Sequence, residues 1–219
     1  MLNVKTLRKK LGRSQVENAG AIIDLPKPRY FGDHSIEEVL LKRRSVRSYK
    51  DEPLQLQDVS QLLWAAQGIT GTEGERTAPS AGALYPLSIY LGAANINGLP
   101  AAIYRYDPTN HTLIQIAEGD TRKKLCAAAL MQGAVRHCAA ILIFAADYRH
   151  VVMKYFDKAK GYVHMEVGHA AQNVFLQAVS LGIGTVTMGA FLNGPVKKIL
   201  HLPKHEEALY LMPLGKVEN

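Results

Sequence analysis

The sequence predicts an α+β fold in which antiparallel hairpins mix with packed helices, and three observations carry this. Three short β-favouring runs, at 87–93, 101–106 and 112–117, are separated by turn chemistry at 95–100 and 107–110, so they read as an antiparallel meander. A continuous apolar run at 139–146 suits a central strand. Helical periodicity precedes these strands and follows them.

Taken in order, residues 1–30 read as an N-terminal arm closed by Pro26 and Pro28, and residues 31–219 as a single domain. Ser35 followed by Glu38 forms a capping box for a short helix to about Lys42. Val59, Leu62, Leu63 and Ala66 recur at the helical interval and Gly68 stops that helix. The Gly/Thr/Ser/Pro-rich stretch 69–86 is long enough to be a functional loop or a short helix entry. After the meander, Asp120 or Thr121 can cap a helix through Met131. Residues 147–181 read as helix broken near Lys160 and Gly161. Here Val163, Val167, Ala170, Ala171, Val174, Phe175 and Ala178 form a stripe too wide for packing on one side only. The last third alternates strand (183–188), helix (195–201, with Asn193 as cap and Pro195 in its first turn) and strand (208–214).

The chain has 219 residues, 47% hydrophobic and 21% charged, as expected of a globular protein with a proper core. No apolar run reaches about 18 residues and no secretory signal is evident, so a cytoplasmic protein without a membrane partner is expected. Cys126 and Cys138 read as buried free thiols. The net charge is +7, but the basic residues are dispersed and no nucleic-acid module surrounds them. A phosphate-bearing cofactor or substrate is therefore preferred to nucleic acid. His201 and His205 are separated by Pro203, and His164 and His169 diverge on a helix, so no metal site is expected. His169 reads as a helix-packing histidine.

Three stretches carry chemistry. Arg43, Arg44, Ser45 and Arg47 follow a capped helix and offer charge-assisted donors suited to a phosphate monoester or an anionic ring edge; the same residues also fit a solvated basic turn. Pro79, Ser80, Ala81, Gly82 and Ala83 present small side chains that let backbone approach a flat ligand, or simply make a tight helix entry. The run 182–191 has two glycines but lacks the third of a dinucleotide fingerprint. Its Met188, Gly189 and Ala190 instead end a strand with exposed backbone N–H groups.

The order of Arg43–Arg47, Pro79–Pro86, Gly168–Asn173, Gly182–Phe191 and Pro213–Lys216 resembles the nitroreductase superfamily over nearly all of residues 35–216. Within that superfamily the motifs most resemble the azoline dehydrogenase branch (SagB/ThcOx type). The resemblance implies a central, mostly antiparallel sheet flanked by helices, an intertwined homodimer, and an FMN-dependent oxidoreductase, with NAD(P)H as a candidate reductant of a flavin that then acts on a small-molecule substrate. Arg43, Ser45 and Lys216 would bind the FMN phosphate, with Arg44 beside them, and Arg47 would sit at the N1–C2 end of the ring. Met188, Gly189 and Ala190 would bring a backbone N–H to flavin N5, while residues 79–83 would pack on the cofactor from the neighbouring subunit. Helix 162–181 would form the dimer core. Lys154 and Tyr155 match the branch's proton-handling pair, although Lys160 stands where that branch commonly has arginine. A flavin-binding module without turnover is the alternative reading.

Overall fold

The computed structural model describes residues 20–217, so the expected N-terminal arm lies outside the described residues up to position 19. Seven strands form one sheet in the order β1 (Ile22–Asp24), β6 (Thr112–Glu118), β5 (Ala102–Asp107), β3 (Leu87–Ala93), β7 (Ala140–Asp147), β9 (Glu206–Lys216), β8 (Ile183–Thr185). Every pairing in it is antiparallel. The expected meander is the run β3, β5, β6. Beside it, β2 (Leu54–Gln55) and β4 (Ile96–Asn97) form a small parallel pair.

The apolar run expected to be a central strand is β7, buried along almost its whole length between β3 and β9. It has apolar side chains on both faces because helices cover both. Leu142 and Phe144 join Leu62 and Leu63 of α2 (Leu56–Gln67) and Val167 and Val174 of α6 (Ala159–Ser180). Ile141 and Ile143 join Leu125 of α3 (Arg122–Ala128), Val135 of α4 (Gly133–His137) and Leu200 beyond α7 (Asn193–Ile199). Alternation within a continuous apolar strand thus builds two cores, one on each side of the sheet.

The first helix, α1 (Ile36–Lys42), has the expected Ser35 cap, its hydroxyl accepting from the Glu38 N–H at 3.2 Å, but the Glu38 carboxylate pairs with Lys42 and His34 instead of closing the capping box. Gly68 ends α2, where a Cβ would collide with the Trp64 ring. Other boundaries differ from the sequence reading. Helix α3 stops at Ala128 rather than Met131, because Leu130 and Met131 turn to positive φ (56° and 61°). Its start is held by the Asp120 carboxylate, which accepts from the Arg122 N–H, and not by Thr121. The break expected near Lys160 and Gly161 falls earlier, at Phe156 (φ 50°), between α5 (Arg149–Tyr155) and α6. A lone glycine costs a helix about 1 kcal/mol, too little to interrupt one with a packed face. Asn193 lies inside α7 and Leu192 is the N-cap. The strand expected at 183–188 is shorter: β8 ends at Thr185, and Met188 rejoins the sheet by a single bridge to Leu211. Strand β1, inside the segment read as an arm, adds to the β6 edge.

Helix α6 is buried along Val163, Val167, Ala170, Ala171, Val174 and Ala178, but Met165 is 61% exposed and His169 is exposed rather than packed. All seven residues of the apolar stripe, Phe175 included, are buried within this chain, where α6 packs against α1, α2, α5 and β8. Both cysteines are buried free thiols, and burial pushes the Cys138 thiol up to about 12. No described helix is long and apolar enough to cross a membrane.

Candidate active site

The basic stretch leaves α1 as extended chain and lies along the β8/β9 pair. Its backbone is tied down by Val46 N–H to Thr185 O (2.9 Å) and Lys50 N–H to Lys216 O (3.0 Å). The buried Tyr49 hydroxyl adds bonds to Val46 O (2.9 Å) and Pro213 O (3.2 Å). Close approach is possible because Gly184 and Gly215 stand directly opposite each other in the two strands. A Cβ on Gly184 would sit 2.7 Å from Val46 Cγ1, and one on Gly215 would sit 2.5 Å from Tyr49 Cγ. Two glycines in register therefore form the floor on which the loop rests.

This seating leaves Ser45 and Arg47 exposed at the surface of the loop. The Arg43 guanidinium stacks over Phe175 of α6 at 5.1 Å. Arg44 turns back instead, donating to Leu41 O and Arg43 O at the C-terminal end of α1. Cations there satisfy the helix's last carbonyls. Lys216, at the end of β9, is ion-paired with Asp58 of α2 at 3.3 Å.

At the other end of the loop, Arg47 and Met188 line one pocket of about 520 Å³ with Tyr49, Gln132 and His137. The Met188–Leu211 bridge, with bonds of 2.9 and 3.0 Å, is the last ladder contact, and Gly189 and Ala190 are exposed just past it. Gln132 Nε2 donates to Ala190 O at 2.9 Å and fixes this turn. Sequence reading missed Gln132 and His137, which follow an irregular turn and carry no periodic signal.

The 69–86 stretch is a pinned loop whose short 3₁₀ turn is Ala81–Ala83. Arg76 donates to Gln67 Oε1 (2.7 Å), Thr77 Oγ1 to Trp64 O (3.0 Å) and Asn173 Nδ2 to Thr77 O (3.0 Å). Ser80 Oγ donates to Glu166 Oε2 on α6 at 2.6 Å and accepts from the Tyr85 N–H at 2.9 Å. Glu166 is 2% exposed, and its Oε1 has no partner. Burial raises its carboxyl to about 7, against the opposing pull of Ser80 and Arg76. No sequence pattern singled this residue out.

Three residues of the loop have left-handed backbone: Gly82 (φ 62°), Ala83 (φ 54°) and Tyr85 (φ 46°). For non-glycine residues such geometry costs roughly 1–2 kcal/mol each, and it persists where the surroundings fix it. Facing this turn are Lys154 and Tyr155: a Cβ on Gly82 would lie 2.5 Å from Lys154 Nζ and 2.6 Å from Tyr155 Oη. Tyr155 packs edge-on against Tyr162 at 5.0 Å. Lys154 is exposed in this chain, whereas a lysine base at neutral pH requires burial. The expected proton-handling pair and the expected cofactor-contact loop thus meet within one chain.

The profile of the Nitroreductase family matches residues 40–216. The chain belongs to the nitroreductase family. It is 44% identical over 181 residues to the nitroreductase-like protein MJ1384 of Methanocaldococcus jannaschii, covering 83% of this chain and 90% of that one. The NAD(P)H-dependent FMN reductase of Bacillus subtilis is 26% identical over 192 residues, 80% of this chain and 61% of that one. Among solved structures, a nitroreductase-like protein of Ralstonia eutropha superposes with TM-score 0.79 at 26% identity, covering 95% and 93% of the two chains. Another from Anabaena variabilis gives TM-score 0.80 at 28% identity, covering 90% of this chain but 42% of that one. A chain of the Escherichia coli microcin synthetase McbBCD complex shares the fold, with TM-score 0.69 at 21% identity over 94% of this chain and 81% of that one. Membership in the nitroreductase family makes the chain an oxidoreductase.

Proposed function

We propose that the chain is an FMN-dependent oxidoreductase acting on a small molecule, with the flavin held between two copies of the chain. The observation that carries this is the paired-glycine floor, which presents Ser45 and Arg47 at the surface and leads by way of Arg47 to the pocket under Met188. That donor set fits FMN: guanidinium and hydroxyl groups suit its phosphate, and a cation suits the electron-rich edge of its ring. Arg43, Ser45 and Lys216 would hold the phosphate, with Asp58 orienting the Lys216 ammonium. Arg47 would face the ring's N1–C2 end, and Gly189 and Ala190 would offer backbone N–H groups to N5. When bound, FMN supplies two-electron transfer.

Dimerisation is supported by the apolar surface this chain leaves uncovered. Leu41 is 75% exposed, Met153 76%, Phe156 74% and Met165 61%, on α1, α5 and α6 and the turn between the last two. The helices that carry Leu41 and Met153 both pack on α6, and exposed apolar side chains on such a group of helices suit an association surface. A second copy would cover α6 and bring residues 79–83 to the partner's flavin. It would also enclose Lys154, whose side chain is exposed in this chain.

Lys154 and Tyr155 favour a second, finer reading, direct dehydrogenation of an azoline-like substrate. Both side chains lie beside the bare Gly82 turn; in this reading they would accept or relay a substrate proton, and bound FMN would supply the two-electron oxidation. Anaerobic mixing with NADH and with NADPH separates these possibilities. Fast bleaching of the flavin supports an NAD(P)H-dependent reductase. Negligible bleaching by either nucleotide, with substrate oxidation lost on Lys154→Met, supports the dehydrogenase. Flavin that is inert to nucleotides, quinones, nitroaromatics and azolines alike would refute turnover and leave a flavin-binding module.

A further inference from the structure

A second and larger pocket, of about 790 Å³, lies where β3, β5, β7 and β9 end beside the 84–86 segment, and shares no lining residue with the pocket under Met188. Arg76, Arg105, Arg149 and Lys204 line it, against two carboxylates, Asp147 and Glu206. Both acids are already engaged. Asp147 accepts from Arg149 at 2.6 Å and faces His205 at 3.7 Å. Glu206, 3% exposed, accepts from Ser88 (3.0 Å) and Tyr90 (2.8 Å). Arg76 and Arg105 form no ion pair among the described residues.

Their surroundings anchor Arg76 and neutralise neither guanidinium with an ion pair. Arg76 is stacked over the Tyr85 ring at 4.6 Å and bonded to Gln67, and its Nε is a buried donor with no partner. Burial disfavours its charge. Of the two carboxyls that favour it, Glu166 and Asp107, Glu166 has the larger effect and is itself pushed toward neutrality. Arg105, half-buried on β5, reaches the Ser88 hydroxyl at 3.5 Å and no other hydrogen-bond partner among the described residues. Immobilised, partly desolvated guanidiniums without an ion pair are a receptor for an oxyanion. Tyr85, Tyr106 and Pro203 supply flat apolar walls beside them.

We propose that this pocket binds the carboxylate or phosphate of a small organic anion through Arg76 and Arg105. The 84–86 segment continues from the Gly82 turn, and Arg149 begins the helix that ends in Lys154 and Tyr155, so the pocket adjoins elements that also carry that pair. Assigning the anion as the substrate's own charged end rests on the flavoenzyme reading; the binding itself does not.

The test is isothermal titration of the full chain purified with its flavin, using phenyl phosphate, benzoate, neutral benzamide and inorganic phosphate. One site per chain for phenyl phosphate or benzoate, at least about tenfold tighter than for benzamide, is the expected result, with a similar loss in Arg105→Gln. Circular dichroism checks the fold of that variant, and Lys204→Gln, at the rim, provides a second variant with a smaller loss. Equal affinity for benzoate and benzamide, or unchanged affinity in both variants, overturns the proposal. Inorganic phosphate binding as tightly as phenyl phosphate overturns the organic part of it. Flavin absorbance is read in parallel: anion binding without flavin uptake supports the pocket and counts against the flavoenzyme reading alone, and the converse counts against the pocket alone.

Discussion

Replacing Glu166 by glutamine is expected to make the protein more stable, by an amount that grows with pH. Glu166 is 2% exposed with one oxygen unpartnered, and its carboxyl titrates near 7 rather than at the usual 4.5. A raised carboxyl pKa means that the folded chain binds more protons than the unfolded chain between these two values. Stability is therefore lost as pH rises through that window, by up to about 1.4 kcal/mol per pH unit. With those two values the cost is about 1 kcal/mol at pH 5 and about 3 kcal/mol at pH 8. The glutamine side chain is a neutral isostere that still accepts from Ser80. Urea unfolding of Glu166→Gln and the unchanged protein, at one protein concentration and at pH 5, 6, 7 and 8, measures the difference. A gap widening by about 2 kcal/mol toward alkaline pH is expected. A gap that is constant across pH, or one that narrows, would refute the assignment of Glu166 as a buried, titrating group.

Gly215→Ala forces a Cβ against Tyr49, so a stability loss of about 1–3 kcal/mol and at least tenfold weaker FMN binding are expected from melting and flavin-fluorescence titration. Gly182→Ala, at φ 64° but with open space around it, is its control: about 1 kcal/mol of backbone strain and unchanged flavin affinity. Gly82→Ala pushes on Lys154 Nζ and Tyr155 Oη, so steady-state assays at saturating FMN should give a kcat at least tenfold lower. Met165→Lys puts a charge on the exposed face of α6, and sedimentation velocity should show the dimer shifting to monomer; an unchanged dimer would move the interface elsewhere.

What was legible in the sequence follows from how local the signals are. The Ser35 cap, the 107–110 turn and the apolar run of β7 are determined within a few residues, and each is found where expected; the 95–100 connection also reverses the chain, but it carries β4, which is defined by its distant partner β2. The break at Phe156 and the early end of α3 at Ala128 are set by tertiary packing, which imposes positive φ on residues with no preference for it. At the site, the Arg43–Arg47 motif was readable, but the reason for its placement was not. Gly184 and Gly215 lie 31 positions apart and matter only because β8 and β9 pair them. Glu166 and Gln132 are likewise defined by their contacts with Ser80 and Ala190, across 86 and 58 residues of chain. Arg44 shows the converse: its composition fits the motif, yet its guanidinium serves the end of α1.

Titrating the purified chain with FMN decides whether the loop seated on Gly184 and Gly215 builds a flavin site. Quenching of flavin fluorescence should saturate at one FMN per chain. Arg47→Ala should weaken binding by at least about tenfold, the loss expected of one charge-assisted contact. A chain that stays colourless and leaves FMN fluorescence unchanged at saturating concentration would contradict the flavin site.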